Sequence, residues 1–440
     1  MKILLLSQNP WRKDNSFGNT YSNIFGKMEN IEIAHIYTLN RKPEFEKNVT
    51  RYYHINEAEV IKSFFSLKRD RRVGKEIKIN EIEEPEQFEN KHNKSFYSKV
   101  LSFGKNHHWI SLFWARELAW KYGNVDYKGL IDFVNDFKPD LFFLPYGNMF
   151  NTNRLALYIK KHTDTPMVMH MAMDHYSLKR VSFNPLFWID RYFKRRMIRK
   201  LAKQTELIYC ISDRLKRELE KCLNVPCKLL YKIPDSDRHS EPYMGINNPV
   251  RFLFAGNIYA NRWKVLALLA ESLKKKNFGH LDIYTASPIT KDIDKRLNIE
   301  GFSSIHGPVS QNDVIRLQKE ADVLVHVESF DIRNKLLVKC AISTKIMDYL
   351  SVGRSILAIG PKDVASLEYL SEGNLAMVAN SREDLERIID SLKANQNILF
   401  DYSSRGDNYI KQNLDPTALR RQLYNELSQV VHNSVLVDYP

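Results

Sequence analysis

Short apolar runs bounded by charge alternate along this chain with segments whose apolar positions recur every three or four residues. The first kind predicts buried parallel strands and the second amphipathic helices. The clearest unit is Ala321 to Pro361, ADVLVHVESFDIRNKLLVKCAISTKIMDYLSVGRSILAIGP. Its run from Ala321 to Val327 predicts a strand, and Arg354 to Gly360 predicts the next. Between them Ser343 and Thr344 are good N-cap residues, with Ile346, Met347 and Leu350 following at helical spacing and Gly353 stopping the helix. The unit is therefore strand, long loop from Glu328 to Ser343, helix, strand.

The rest of the chain repeats this alternation. Lys2 to Ser7, Ile31 to Tyr37, LFFLPYG after Lys138-Pro139-Asp140, Pro166 to Met171 and ELIYCIS predict strands, with helices from Thr20, over Asn184 to Lys203 and in SDRLKRELEK. LLYKIP closes a first domain. A second begins at VRFLFAG and continues through the helix WKVLALLAESLKKK, the strand LDIYTA, and a short strand and helix in SSIHGPVSQNDVIRLQKEA. Helices follow over Val364 to Leu370 and Arg382 to Leu392, and the last runs from about Pro416 to Val431. The expected organisation is α/β: a Rossmann-like domain over 1–240, a second over 250–415, and a C-terminal segment, 416–440, packing back on the first. The polar stretch from Asp235 to Pro249 is the expected linker. Residues from about 41 to 94 are highly charged and are expected to be an insertion, partly helical and partly mobile, without chemistry of its own.

Composition narrows the picture. At 440 residues, 43% hydrophobic and 12% aromatic, two well-packed domains are the default. No apolar run reaches transmembrane length, and MKILLLSQNP enters a strand directly without the features of a signal peptide, so a cytosolic protein is expected. The cysteines Cys210, Cys222, Cys227 and Cys340 have no metal-site spacing and are expected to be reduced and structural. A formal net charge of +14 calls for an anionic partner, with membrane, nucleic acid and phosphorylated substrates all open.

Ligands of open α/β sheets bind beyond the carboxyl ends of the strands. There the loop from Glu328 opens onto a helix N-terminus, whose free N–H groups and dipole form an anion site. Ser343 and Thr344 add hydroxyls, Lys345 adds a cation, and Asp348 is placed to accept from ribose hydroxyls. A nucleoside diphosphate satisfies both halves; an ordinary capped helix with a solvated Lys and Asp is the alternative. Gly256 and Asn257 turn the chain into a helix that starts with Arg262 and Lys264, two cations suited to a diphosphate. Gly18 lies in a loop before a helix, where a backbone can approach a ligand closely. His170 and Asp174, in HMAMDHY, fall at or past a strand end, where they can contact a sugar hydroxyl or take a proton.

Asn184 to Lys203 is a basic amphipathic helix, suited either to an anionic membrane surface or to a solvated basic face over a core. Phe96 to Tyr122 is aromatic at roughly helical spacing, which suggests core packing or else an acceptor- or membrane-facing surface. His107 and His108 there are adjacent and cannot share a helix face as paired ligands. Asp235-Ser236-Asp237 matches a metal-binding pattern but falls in the expected linker, and the match is taken as accidental. No G-x-G-x-x-G fingerprint or Walker A loop is present, which argues against a dinucleotide dehydrogenase or a P-loop ATPase.

Taken together, FAGNIYANRWKVLALLAESL, IHGPVSQNDVIRLQKEADVLVHVESF and STKIMDYLSVGRSILAIGP resemble the GT-B-fold glycosyltransferases, closest to glycosyltransferase family 4, the group 1 type. The resemblance covers about Val250 to Asn380. It is thinner over the first domain, resting there on Gly18, the KPD strand, HMAMD and TELIYCIS with DRLKREL. It implies two Rossmann-like domains facing a central cleft, a C-terminal helix crossing back, a nucleotide-sugar donor on the second domain and an acceptor on the first. In these terms Arg262, Lys264, Ser343, Thr344 and Lys345 would bind the diphosphate, with Gly18, Gly256 and Asn257 beside the donor. Asp348 would hold the ribose, Glu328 would face the donor sugar, and His170 and Asp174 would act near the reacting centre.

The implied chemistry is retaining transfer of a hexose-type sugar without metal or other cofactor, from a UDP- or GDP-sugar to a glycan or lipid-linked acceptor. Its expected setting is bacterial surface polysaccharide synthesis, in the cytoplasm or peripherally on the inner membrane face. The family usually places two glutamates eight positions apart. Here Glu328 and Asp348 are twenty apart, and Asp331 is an alternative to Glu328. A nucleotide-sugar epimerase of the same fold and a basic nucleic-acid-binding protein are the other readings, though no RNA-binding signature accompanies the latter.

Overall fold

The computed structural model describes residues 1–65, 72–77, 110–235 and 245–437, and these form two compact units. The first comprises Met1–Leu178, Ser182–Leu230 and Gln422–Pro440, and the second Lys179–Val181 and Tyr231–Arg421.

Strands β1 (Lys2–Ser7), β2 (Glu32–Tyr37), β3 (Val49–His54), β4 (Lys75–Ile77), β5 (Leu141–Pro145), β6 (Met167–Met171), β7 (Leu207–Cys210) and β8 (Cys227–Leu229) make the sheet of the first unit. Helices α1 (Ser16–Phe25), α2 (Glu57–Phe65), α3 (Ile110–Tyr122), α4 (Tyr127–Phe137), α5 (Phe150–His162), α6 (Pro185–Ala202) and α7 (Asp213–Glu220) accompany it. The sheet order is β4-β3-β2-β1-β5-β6-β7-β8, parallel except for β4, with Leu4 of β1 opposite Ala34 on one side and Phe142 on the other. Because both faces of such a sheet are covered, its central strands are apolar throughout: Leu4, Leu5, Phe142, Phe143, Val168 and Ile208 are fully buried.

The second unit holds β9 (Arg251–Ala255), α8 (Arg262–Lys276), β10 (His280–Tyr284), α9 (Lys291–Leu297), β11 (Ser303–His306), α10 (Gln311–Glu320) and β12 (Val323–Val327). It continues with α11 (Ile332–Val338), α12 (Thr344–Val352), β13 (Ser355–Ile359), α13 (Ala365–Glu372), β14 (Met377–Ala379), α14 (Arg382–Ala394) and α15 (Ile398–Asn413). Its all-parallel sheet runs β11-β10-β9-β12-β13-β14. Phe252, Val325 and Leu357 meet Leu266, Leu269 and Ile389 of the covering helices in one core. The last helix, α16 (Pro416–Val437), starts in the second unit, and from Gln422 onward it belongs to the first, where Glu426 accepts from the Tyr209 hydroxyl at 2.7 Å.

Two expectations change. The charged segment from residue 41 contributes β3, α2 and β4, so it extends the sheet rather than standing apart from it; its positions 66–71 and 78–94 lie outside the described residues. The strand was hidden because VTRYYH carries polar atoms on buried side chains. The His54 ring stacks on Tyr37 at 4.5 Å, and Arg51 is spent on Glu76 at 2.8 Å and Asp136 at 2.6 Å. The expected long loop from Glu328 to Ser343 contains the short helix α11, capped by Asp331, whose side chain accepts from the Asn334 N–H. His107, His108 and the Ser236 and Asp237 part of the aspartate pattern lie outside the described residues.

Candidate functional site

In a doubly wound sheet the strand order reverses at one point, and a crevice opens beyond the carboxyl ends of the two strands there. In the second unit those strands are β9 and β12. The chain leaves β9 through Gly256 into α8, and leaves β12 through Glu328. Arg262, the first residue of α8, forms a fork on the Glu328 carboxylate: Nε to Oε2 at 3.2 Å, and Nη2 to Oε1 at 3.1 Å and to Oε2 at 3.0 Å. Glu328 is nearly fully buried, and that burial raises its carboxyl above the usual range against the opposing pull of Arg262 and Lys345. His326, one turn of the pleat earlier, has Nε2 3.6 Å from Glu328 Oε1, and burial, with Arg262 and Lys345 nearby, holds it neutral with a pKa lowered to about 3.

The chain leaving β12 passes α11 and enters α12. Ser343 is its N-cap but makes no side-chain capping bond, and its own N–H donates to Ser366 Oγ at 3.0 Å. The N–H groups of Thr344 and Lys345, in the first turn, have no acceptor within the helix. Lys345 reaches back across the sheet end and donates from Nζ to the Ala255 carbonyl at 2.7 Å, 4.8 Å above the Phe254 ring. Burial pulls its pKa from 10.5 to about 8, with Arg262 pushing the same way and Glu328 and Asp348 opposing. This is why position 256 is glycine: a Cβ there would lie 1.6 Å from the Lys345 nitrogen, and φ is +152°. One turn on, Asp348 pairs with Lys232 at 2.5 Å. Lys232 is buried, in the segment where the second unit begins, and the Asp235 N–H donates to Ser351 Oγ at 2.9 Å, so this segment lies along α12.

The second unit thus brings together Gly256, Arg262, Glu328 and Lys345, with Asp348 one turn along α12 from Lys345 and paired with Lys232. It does not bring in Lys264, which is exposed with its ammonium 5.6 Å from the neighbouring Trp263 ring. Residues two apart on a helix point away from each other. Asn257 is also exposed, and its carbonyl oxygen accepts from the Tyr259 N–H at 3.0 Å. Asp331 is exposed and spent as the cap of α11. Sequence reasoning missed Lys232 and His326. A lone cation inside the apolar run LLYKIP was the one available signal for the former; the latter was absorbed in its strand.

In the first unit His170 and Asp174 both sit at the end of β6 but serve different partners. The His170 ring is buried with Nδ1 2.6 Å from the Tyr21 hydroxyl, and burial lowers its pKa to about 4. Asp174 accepts from the N–H groups of Tyr176 at 2.9 Å and Ser177 at 2.8 Å and from the Ser177 hydroxyl, with Arg191 at 3.5 Å. Burial pushes its carboxyl up, but these donors and the guanidinium outweigh it and hold the pKa below the ordinary value. Gly18 lies in the first turn of α1, where its N–H donates to Asn15; a Cβ there would lie 2.0 Å from the Arg12 carbonyl, so the glycine serves a close approach of the chain to itself.

Two parallel-sheet Rossmann-like units with a last helix shared between them are the fold of the GT-B glycosyltransferases. Solved structures of that fold match nearly the whole chain. One, described as trehalose-6-phosphate from E. coli bound with UDP-2-fluoro glucose, has a TM-score of 0.60 at 8% identity over 98% of this chain and 99% of that one. Alr3699/HepE of Anabaena in complex with UDP has 0.61 at 14% over 98% and 100%. WaaG, a glycosyltransferase involved in lipopolysaccharide biosynthesis, has 0.55 at 11% over 97% and 99%. No family profile and no curated protein matches the chain.

Proposed function

We propose that this protein is a glycosyltransferase that moves a hexose-type sugar from a nucleotide-sugar donor to a glycan or lipid-linked acceptor, with retention and without a metal. The observation that supports it is the convergence of Arg262, Lys345 and the α12 N-terminus at the strand-order reversal of the second sheet. A leaving diphosphate develops negative charge, and preorganised cations and N–H groups stabilise it at little cost in reorganisation. Lys345 is already fixed on Ala255. Arg262 is held by Glu328, and an arriving diphosphate would share it. Asp348, one turn behind the helix terminus, is placed for ribose hydroxyls, and Glu328 for the donor sugar. Structural neighbours holding UDP or a UDP-sugar agree with such a donor. The role fits bacterial surface polysaccharide synthesis at the inner face of the membrane.

The test is a thermal-shift screen of UDP, GDP, CMP and dTDP and their sugar conjugates with EDTA present. One nucleoside diphosphate at a hundredfold excess over its Kd should stabilise the fold by about 2.7 kcal/mol. The Lys345→Met variant should lose that shift. No shift with any nucleotide refutes the reading. An inverted anomeric centre in the product, read by NMR, removes the retaining part alone.

A further inference from the structure

Helix α6 sorts its residues by partner. Three of its arginines fasten it: the buried Arg191 lies against Asp174 and the Ser177 carbonyl, the half-buried Arg195 donates to the Tyr176 carbonyl at 2.5 Å, and Arg199, itself exposed at the edge of the outer face, donates to the Tyr176 hydroxyl at 2.8 Å. Its one acid, Asp190, is buried and paired with Lys194 at 2.5 Å. The opposite face is another matter. At 100° per residue, Leu186, Ile189, Tyr192 and Phe193 fall with Arg196, Lys200 and Lys203 inside about 120° of arc. All seven are exposed; Ile189 keeps 48% of its surface in water and Tyr192 59%, and Phe183, just before the helix, keeps 99%. An amphipathic helix over a core turns its apolar side inward, and this one leaves a second apolar side outward.

The face continues beyond α6. Phe193 meets Trp114 of α3 edge-on at 5.1 Å, and Leu118 and Tyr122 follow at four-residue steps on α3. Tyr122 lies 6.5 Å from Phe64 of α2, which meets the exposed Phe65 at 4.9 Å. A band of this kind across three helices exceeds the scattered apolar residues normal on a monomer and marks an interaction surface.

We infer that this band, with Arg196, Lys200 and Lys203 beside it, docks the first unit on an anionic lipid surface. Two features favour lipid over a protein partner. Cations and large apolar side chains share one helix face that carries no exposed carboxylate, which fits acidic headgroups above an acyl boundary. The residues also include tyrosine and tryptophan, whose polar tips suit that boundary. The inference deepens the glycosyltransferase reading, since a lipid-linked acceptor is presented at such a surface.

The experiment is sedimentation of the full chain with vesicles of phosphatidylcholine, with and without phosphatidylglycerol. Binding is expected only with the anionic lipid and is expected to weaken with salt. Arg196→Gln/Lys200→Gln should cut the partition coefficient about thirtyfold, at roughly fivefold per basic residue. Ile189→Ser/Tyr192→Ser should also lose binding, both variants melting like the parent. Equal binding to neutral vesicles, no binding to either, or variants that bind like the parent overturns the proposal. So does a dimer, seen by light scattering and broken by the same variants, that ignores vesicles. The UDP thermal shift is run in parallel: if it persists while vesicle binding fails, only this inference falls. If vesicle binding behaves as expected and no nucleotide binds, the surface stands and the donor reading falls.

Discussion

Burying Lys345 places a cost on the fold, which the Ala255 carbonyl and the nearby Glu328 and Asp348 carboxylates offset only in part. Its ammonium is enclosed by the Ala255 carbonyl, the Phe254 ring and the Gly256 backbone, and burial brings its pKa down to about 8. If the diphosphate binds the ammonium form, affinity follows its population: about nine-tenths at pH 7, half at pH 8 and a tenth at pH 9. UDP, or whichever nucleoside diphosphate the screen selects, should therefore bind about tenfold more weakly at pH 9 than at pH 7, a loss of about 1.4 kcal/mol. At pH 8 calorimetry in two buffers of different ionisation enthalpy should register uptake of about half a proton per ligand. Stability moves the other way. The folded lysine gives up its proton below the unfolded value of 10.5, so between about pH 8 and 10.5 the unfolded chain holds more protons and the fold gains stability as pH rises. At about 1.4 kcal/mol per pH unit, holding the ammonium at neutral pH costs roughly 3 kcal/mol as an upper bound. Lys345→Met should then melt no lower than the parent while losing the ligand. A Kd that stays flat from pH 7 to 9 with no proton uptake would refute the reasoning.

Three other variants probe the same strand ends. Arg262→Met leaves Glu328 buried without its cation and should cost on the order of 3 kcal/mol by chemical denaturation, with Arg262→Met/Glu328→Met recovering most of it; a silent single variant refutes the pair's role. Gly256→Ala drives a methyl into the Lys345 ammonium and should lower Tm and abolish the nucleotide shift together, so a variant that binds nucleotide normally disproves the close approach. Lys232→Met should reduce discrimination between UDP and its 2′- and 3′-deoxy forms if Lys232 orients Asp348 toward the ribose; an unchanged ratio excludes that role.

The parallel strands were the most legible part of the chain. Lys2–Ser7 and the apolar run ending at Val327 are central strands buried on both faces, where period and burial coincide. β3 was not legible, because its interior positions are tyrosines and a histidine satisfied by ring stacking and backbone oxygens. At the site, capping residues and a glycine turn located Lys345 and Arg262 through local rules. The Lys232–Asp348 pair spans 116 residues, and no local pattern carries that information. Lys264 was grouped with Arg262 by proximity in sequence, but a helical step of two separates their faces.

The shared last helix also constrains how the molecule is made. The first unit is not contiguous in the chain: it acquires residues from Gln422 onward only after the whole second unit has been synthesised. Until then Leu423 and Leu427, which end up 4% and 0% exposed, are missing from its interior, and Tyr209 lacks Glu426. Without that helix the Tyr209 hydroxyl turns to water, and the apolar surface that Leu423 and Leu427 cover stays open to solvent. During synthesis the first unit therefore cannot close its interior before the segment from Gln422 onward has been made.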